Sequence, residues 1–235
     1  MNYCLNVNDI KVEANFPDET VNGIYIPLLR KLSEMQKEKG SRLIVMLAAP
    51  PGAGKSTLSV FLQYLSETCE GVTPLQAIGM DGFHHYMDYL NSHTVIVDGK
   101  EYPMVKIKGA PVSFDLEKLT EFIKHISNGD AVRAPEYSRK LHEPVEDAIT
   151  ISRNIILLEG NYLLLDEPGW RDLKSFADYT IFIHKEEKDL VDRLIRRKEA
   201  SGVSRAEAVA HVTFNDVRNI KTCLENSVGA DLVLT

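Results

Sequence analysis

The chain has 235 residues, 44% of them apolar and 26% charged, with 27 Lys+Arg against 34 Asp+Glu and a net charge of −7. These proportions exclude a disordered or fibrous chain. The negative balance argues against a nucleic-acid groove or an anionic-membrane binder, and no apolar run approaches the roughly 20 residues of a membrane span.

In chain order, residues 10–16 (IKVEANF) alternate apolar and polar, the pattern of a short strand. Val21, Ile24, Leu28, Leu32 and Met35 then recur at helical spacing up to Lys39-Gly40, although Pro27 leaves the start of that helix open. Residues 43–48 (LIVMLA) form a continuous apolar run, as expected of a strand buried on both faces of a parallel sheet. Runs of the same kind lie at 155–158 (IILL), 179–183 (YTIFI) and 231–234 (DLVL), with 75–80 (LQAIGM) a weaker one. Amphipathic helices fall between them. One is striped by Leu116, Leu119, Phe122, Ile123 and Ile126 and closed by Asn128-Gly129. Another carries Leu190, Val191, Leu194 and Ile195. A third opens on a Ser204-Arg-Ala-Glu capping box and runs to about Lys221. Residues 91–107 interrupt the alternation with an Asp98-Gly99 turn between strand-like arms, the mark of a hairpin. Strands alternating with helices predict an α/β fold, a mainly parallel sheet with helices on both faces, as one domain over 1–235. Residues 1–40 precede the first buried strand as an extension.

Cys4, Cys69 and Cys223 are scattered and in no metal-ligand spacing, so they read as reduced thiols of a cytoplasmic protein. The first residues, MNYCLNVNDIKVEAN, lack the apolar centre of a signal peptide.

Directly after the 43–48 strand comes Ala49-Pro50-Pro51-Gly52-Ala53-Gly54-Lys55-Ser56-Thr57. Every required position of G-x-x-x-x-G-K-[ST] is present except the first, where Ala stands for Gly. A triphosphate needs several backbone N–H donors converging on it. Small residues (Pro51 to Gly54 run through Gly52 and Ala53) let the chain wrap it closely, and the helix that follows points its positive end at the phosphates. Lys55 supplies a compact cation to the β- and γ-phosphates, and the Ser56 hydroxyl can ligate Mg²⁺. Ala is tolerated at position one if its φ is negative.

A guanine-reading N-K-x-D and a transporter-type Ser-Gly-Gly are both absent. Instead the next strand end carries Met80-Asp81-Gly82-Phe83-His84. An acid at the carboxyl end of a parallel strand sits in the ligand crevice, where Asp81 can take a proton from a substrate hydroxyl or help hold Mg²⁺. Glu159 ends the IILLEG strand in the same way and is placed to face the metal. His84 reads as a substrate-pocket donor beside Asp81. Arg193, Arg196 and Arg197 share one helix face, and Asn215 and Asn219 share another, one turn apart.

The combination of AAPPGAGKST, MDGFH, KGAPVSFD, APEYSRKLHEP and LLEGNYLLL resembles the phosphoribulokinase/uridine kinase superfamily, which includes prokaryotic-type pantothenate kinases. The nearest likeness within it is to bacterial nucleoside/nucleotide kinase or fructose-transport-system kinase proteins. The resemblance spans residue 42 to the C-terminus. It implies a three-layer P-loop kinase fold, ATP and Mg²⁺ as cofactors, and a small-molecule hydroxyl acceptor such as a nucleoside or sugar. It implies Asp81 as the group that activates the acceptor, and Ser56, Asp81 and Glu159 around Mg²⁺. Tyr137 matches the pocket tyrosine of uridine kinases, but Ser138 replaces the acid that follows it there. Arg139 and His142 are then candidate acceptor contacts, Arg193 and Arg197 lid arginines at the transferring phosphoryl, and Asn215 and Asn219 pocket amides. The insert at 84–108 would cap the acceptor pocket or form a homodimer contact. The alternative is an ATP-binding regulatory module without an acceptor.

Overall fold

The computed structural model describes residues 2–7, 10–97 and 99–235. The chain opens with an antiparallel hairpin of β1 (Asn2–Val7) and β2 (Ile10–Asn15). One continuous helix follows, made of α1 (Asp18–Thr20), a π-turn (Val21–Tyr25) and α2 (Ile26–Lys39). The π-turn answers the question Pro27 raised. Proline has no N–H and its ring would clash with the carbonyl four residues back; here the Ile26 N–H bonds to Val21 O, five residues back, and the widened turn admits the ring.

Next come β3 (Leu43–Ala48), α3 (Lys55–Thr68), β4 (Leu75–Gly79) and α4 (Met87–Ser92). A hairpin of β5 (Thr94–Val97) and β6 (Lys100–Pro103) follows. It is the expected insert; Asp98 of its turn lies outside the described residues, and Gly99 takes φ +74°. After α5 (Leu116–Ser127) the chain forms a second hairpin, β7 (Arg133–Ser138) and β8 (Glu143–Thr150). The remaining elements are β9 (Ile155–Gly160), β10 (Tyr179–Ile183), α6 (Glu187–Ala200), α7 (Arg205–His211), a π-turn (Val212–Asp216), α8 (Val217–Asn226) and β11 (Leu232–Leu234).

Five strands form one parallel sheet in the order β11-β10-β3-β9-β4. Every residue of β3 and β9 is buried. Alternate side chains feed two separate cores: Leu43, Val45 and Leu47 pack toward α2, α3 and α6, and Ile44, Met46 and Ala48 toward α5 and Trp170. The fold is therefore the expected three-layer α/β sandwich of helices about a parallel sheet.

Two expectations shift in detail. The last strand begins at Leu232 because the Asp231 carboxylate is used as an acceptor, taking the Thr180 N–H (2.8 Å) and hydroxyl (2.7 Å). The helix from Ser204 keeps its capping box but contains a π-turn and extends to Asn226.

The N-terminal segment packs on the helix that follows the phosphate-loop sequence. Phe61 of α3 stacks on Phe16 (3.8 Å between centroids) and meets Tyr3 (4.7 Å) and Tyr25 (6.0 Å). A fully buried Phe is worth about 1.5–3 kcal/mol, so this aromatic cluster anchors one face of α3.

The turn after β4 (a 3₁₀ turn, Met80–Phe83) presses its glycine onto β7: a Cβ on Gly82 would lie 2.3 Å from Pro135 O. Backbone cannot yield as a side chain can, so Gly82→Ala is expected to destabilise by about 1–3 kcal/mol. Gly23→Ala, with nothing within 4 Å of the new methyl, should be neutral or stabilise by up to about 1 kcal/mol. Urea unfolding of both variants checks the contrast.

Candidate active site

The carboxyl edge of the sheet gathers the motif residues. Ala49 is buried with an ordinary negative φ and donates its N–H to Gly160 O (3.4 Å). The missing first glycine therefore costs nothing. Gly52 (φ +84°) and Gly54 (φ +91°) do need the left-handed region. At Gly52 space also matters, since a Cβ would sit 3.1 Å from Leu194 Cγ and 3.2 Å from Leu190 O of α6. The loop is thus pressed against α6, and α3 starts at Lys55 with its first-turn amides turned toward the loop.

Glu159, next to last in β9, lies between Leu47 of β3 on one side and Gly79 of β4 on the other. Its Oε1 lies 3.4 Å from where a Cβ on Gly79 would stand, so the small residue at the end of β4 makes room for the carboxylate. Glu159 is buried, and burial pushes its carboxyl up. Lys55 opposes that rise, the Asp81 charge adds to it, and a hydrogen bond from Ser56 and the Arg139 charge oppose it again.

Asp81 shifts the other way. Burial alone would raise its carboxyl, but the charges of His84 (when protonated), Lys55, Arg139 and Arg197 outweigh burial and hold it below the usual carboxylate range. Two neighbouring acids whose surroundings push them apart are a recurring feature of active sites. Between them lies a cavity of about 120 Å³ lined by Ser56, Gly79, Asp81, Gly82, Tyr137 and Glu159.

The acceptor-side candidates form the next wall. His84 is buried, its Nδ1 2.9 Å from Asp81 O and its ring 3.9 Å from Phe114 and 5.4 Å from Tyr137. Burial lowers its basicity. Lys108 stands over the Tyr137 ring (5.1 Å) and donates to His142 O (2.7 Å). His142 therefore joins this wall through its carbonyl, at a turn where its φ is +58°. Asn215 donates to Lys108 O (2.9 Å), and Asn219 lies buried beside Gly109.

The two candidate arginines of α6 separate. Arg197 acts electrostatically on Asp81, Arg139 and Asp216; neighbouring protein crowds its guanidinium and lowers its basicity although the side chain keeps access to solvent. Arg193 is exposed on α6, and its charge acts on Asp81 less than that of Arg197. Helical spacing put both on one face; the tertiary position of α6 brings in the second. Lys108 was not singled out from the sequence, because its contacts are made 34 positions away; its place in KGAPVSFD was the available signal.

No cluster of three or more His, Cys, Asp or Glu placed to hold a metal occurs among the described residues. Among the same residues, no helix is long and apolar enough to cross a membrane.

Residues 44–233 match the model of the Phosphoribulokinase / Uridine kinase family. The chain belongs to that family. Among its relatives, the uncharacterised protein YggC of Escherichia coli K12 is 39% identical over 231 residues, spanning 98% of this chain and 93% of that protein. A candidate uridine kinase of Schizosaccharomyces pombe is 30% identical over 217 residues, with 89% of each covered. In structure, a candidate fructose transport system kinase from Silicibacter sp. TM1040 superposes with a TM-score of 0.77 at 30% identity, covering 88% of this chain and 98% of that one. The parallel five-stranded sheet with its flanking helices is thus that of a P-loop kinase.

Proposed function

We propose that this protein transfers the γ-phosphoryl group of ATP to a hydroxyl of a small metabolite, a nucleoside or a sugar, with Mg²⁺ present. The observation that carries this reading is the pair of acids at the carboxyl ends of β4 and β9, Glu159 buried and Asp81 partly exposed, set beside Lys55 and Ser56 of the P-loop with Arg139 and Arg197 acting on Asp81. A module that only senses ATP has no use for an acid on the acceptor side of the phosphate loop.

In this reading the backbone from Pro51 through Gly52, Ala53, Gly54, Lys55, Ser56 and Thr57 cradles the phosphates, and Lys55 adds a point charge. The donor set suits a hard cation: the Ser56 hydroxyl and the Glu159 and Asp81 carboxylates are all oxygen ligands. Mg²⁺ is ordinarily held by one or two carboxylates together with waters and phosphates, which is why no larger protein cage is needed. When bound, it neutralises charge on the phosphoryl oxygens.

Asp81 orients the acceptor hydroxyl and takes its proton. The freed oxygen forms a bond to the γ-phosphorus as the bond to the β,γ-bridging oxygen breaks, and ADP leaves with that electron pair. Arg197 stabilises the charge on the phosphoryl group in transit, with Arg193 one turn farther out. His84, Tyr137, Arg139, His142, Asn215 and Asn219 form the acceptor wall. The insert at 84–108 covers this side, a placement supported by the Tyr102–Phe214 ring contact (5.7 Å) and the Asn215–Lys108 bond.

A screen with γ-labelled ATP across nucleosides, pentoses, hexoses, pantothenate and glycerate tests the reading, with label expected on one class. For the substrate so found, Asp81→Asn should lower kcat by about 10²–10⁴-fold while MgATP still binds; an unchanged kcat removes Asp81 from the chemistry. Arg197→Ala should lower kcat by about 10²–10³-fold, and Arg193→Ala should change it by less than about threefold. Equal losses in a steady-state comparison would show that the two arginines are equivalent.

A further inference from the structure

Lys108 is a basic residue of the acceptor wall to which the phosphoryl transfer gives no task. Asn215 fixes its carbonyl (2.9 Å), and its half-buried ammonium stands 5.1 Å over the centre of the Tyr137 ring. The other atoms it meets are uncharged: His142 O at 2.7 Å and the Met87 sulfur at 3.3 Å. Among the described residues it forms no ion pair. Glu143, whose charge reaches it, uses a carboxylate oxygen on the Met87 N–H (2.8 Å). An ammonium that exchanges water for a carbonyl, a thioether and a ring is incompletely compensated. Burial accordingly lowers its basicity, against the opposing charges of Glu143 and Asp81.

A second cation reaches the same ring from another part of the chain. Arg139 follows the end of β7, two positions after Tyr137, and is exposed. Its charge acts on Asp81, on the Tyr137 hydroxyl and, repulsively, on Arg197. It donates no hydrogen bond to any described residue. Tyr137 itself lines the cavity that also holds Asp81 and Ser56. Two cations that water can reach thus flank one wall of this cavity, and both lie within electrostatic reach of Asp81.

Neither belongs to the phosphate loop, where Lys55 and the start of α3 already face the nucleotide. A neutral ligand would leave the Lys108 ammonium as it is, and a cation would be repelled. An anion with several oxygens can accept from the ammonium and from the Arg139 fork together. We propose that Lys108 and Arg139 bind a phosphate or carboxylate group that the acceptor substrate carries apart from its reacting hydroxyl. The acceptor is then a sugar phosphate, a nucleotide or a hydroxy acid, and the anion passes through the reaction unchanged. The proposal rests on the kinase reading above and narrows it. Lys108 and Arg139 are in this account specificity residues; they take no proton and form no covalent bond.

The test measures transfer from γ-labelled ATP by the full-length protein to compounds paired with and without the anion. D-ribose 5-phosphate with D-ribose, D-fructose 6-phosphate with D-fructose and uridine 5′-monophosphate with uridine form the phosphate arm. D-glycerate with glycerol and pantothenate with pantothenol form the carboxylate arm. Wild type should favour the anionic member of the pair it uses by at least about tenfold in kcat/KM, and the arm that responds identifies the anion. Lys108→Gln should raise KM for that member about 10–100-fold, with ATP KM within about threefold, so that the preference within the pair falls toward one. Lys108→Arg should recover most of it. Arg139→Gln, at an exposed site without hydrogen bonds, should reduce the preference in the same direction and carries the test if Lys108→Gln melts several degrees lower. Equal losses for both members of the pair would make Lys108 a latch for the β7–β8 hairpin through His142 and overturn the proposal. A wild type that uses the neutral member as well or better overturns it too and leaves the kinase reading standing. No transfer to any of the ten compounds overturns the kinase reading, and the proposal with it.

Discussion

Two carboxylates crowded into one crevice, Glu159 buried and Asp81 half-buried, repel each other and lose hydration, so they are stable there only if cations surround them. Much of the carboxyl edge of this sheet is arranged around that requirement. The P-loop delivers Lys55, the β7–β8 hairpin delivers Arg139, and α6 delivers Arg197. Each comes from a different layer or excursion of the chain, and each acts on Asp81. The result is uneven: Asp81 is held ionised, whereas burial dominates at Glu159. A crevice so rich in positive charge is suited to phosphates, whose arrival adds the anions that the cations lack.

Holding the cations in place requires the rest of the fold. The P-loop cannot move away from α6 without vacating the space that Gly52 leaves for Leu194. The α3 helix that carries Lys55 and Ser56 is wedged from behind by Phe16, Tyr3 and Tyr25, which gives the N-terminal segment a mechanical role. On the far side, the insert is tied to the π-turn before α8 by Tyr102 against Phe214 and by Asn215 to Lys108 O. Because α6 and α8 are joined through α7 and that π-turn, the insert and the arginine-bearing helix share one connection.

The parts of this architecture that were legible in the sequence are those with strong local signals. Strands buried on both faces read as unbroken apolar runs, as at 43–48 and 179–183, and Ser204 with Glu207 makes its capping box within four residues. The β7–β8 hairpin went unread because each strand contains a proline, Pro135 and Pro144, a bulge shifts its register, and His142 and Asp147 adopt positive φ without being glycine. The first strand, β1, was missed as well. In the site, Asp81, Lys55 and Glu159 stand at motif positions. Lys108 acquires its contacts from His142, 34 positions away, and only its place in KGAPVSFD marks it locally. Arg193 and Arg197 were indistinguishable by spacing, and the packing of α6 separates them.

The central claim is that Lys55 and the surrounding loop form a phosphate site at the mouth of the acid-lined crevice. Calorimetric titration of MgATP into wild type and Lys55→Ala, each checked for unchanged melting, tests it most directly. The account predicts saturable one-site binding to wild type and at least about tenfold weaker binding to the variant, the expected loss for one charge-assisted phosphate contact. Equal MgATP affinity in two equally folded proteins would contradict it.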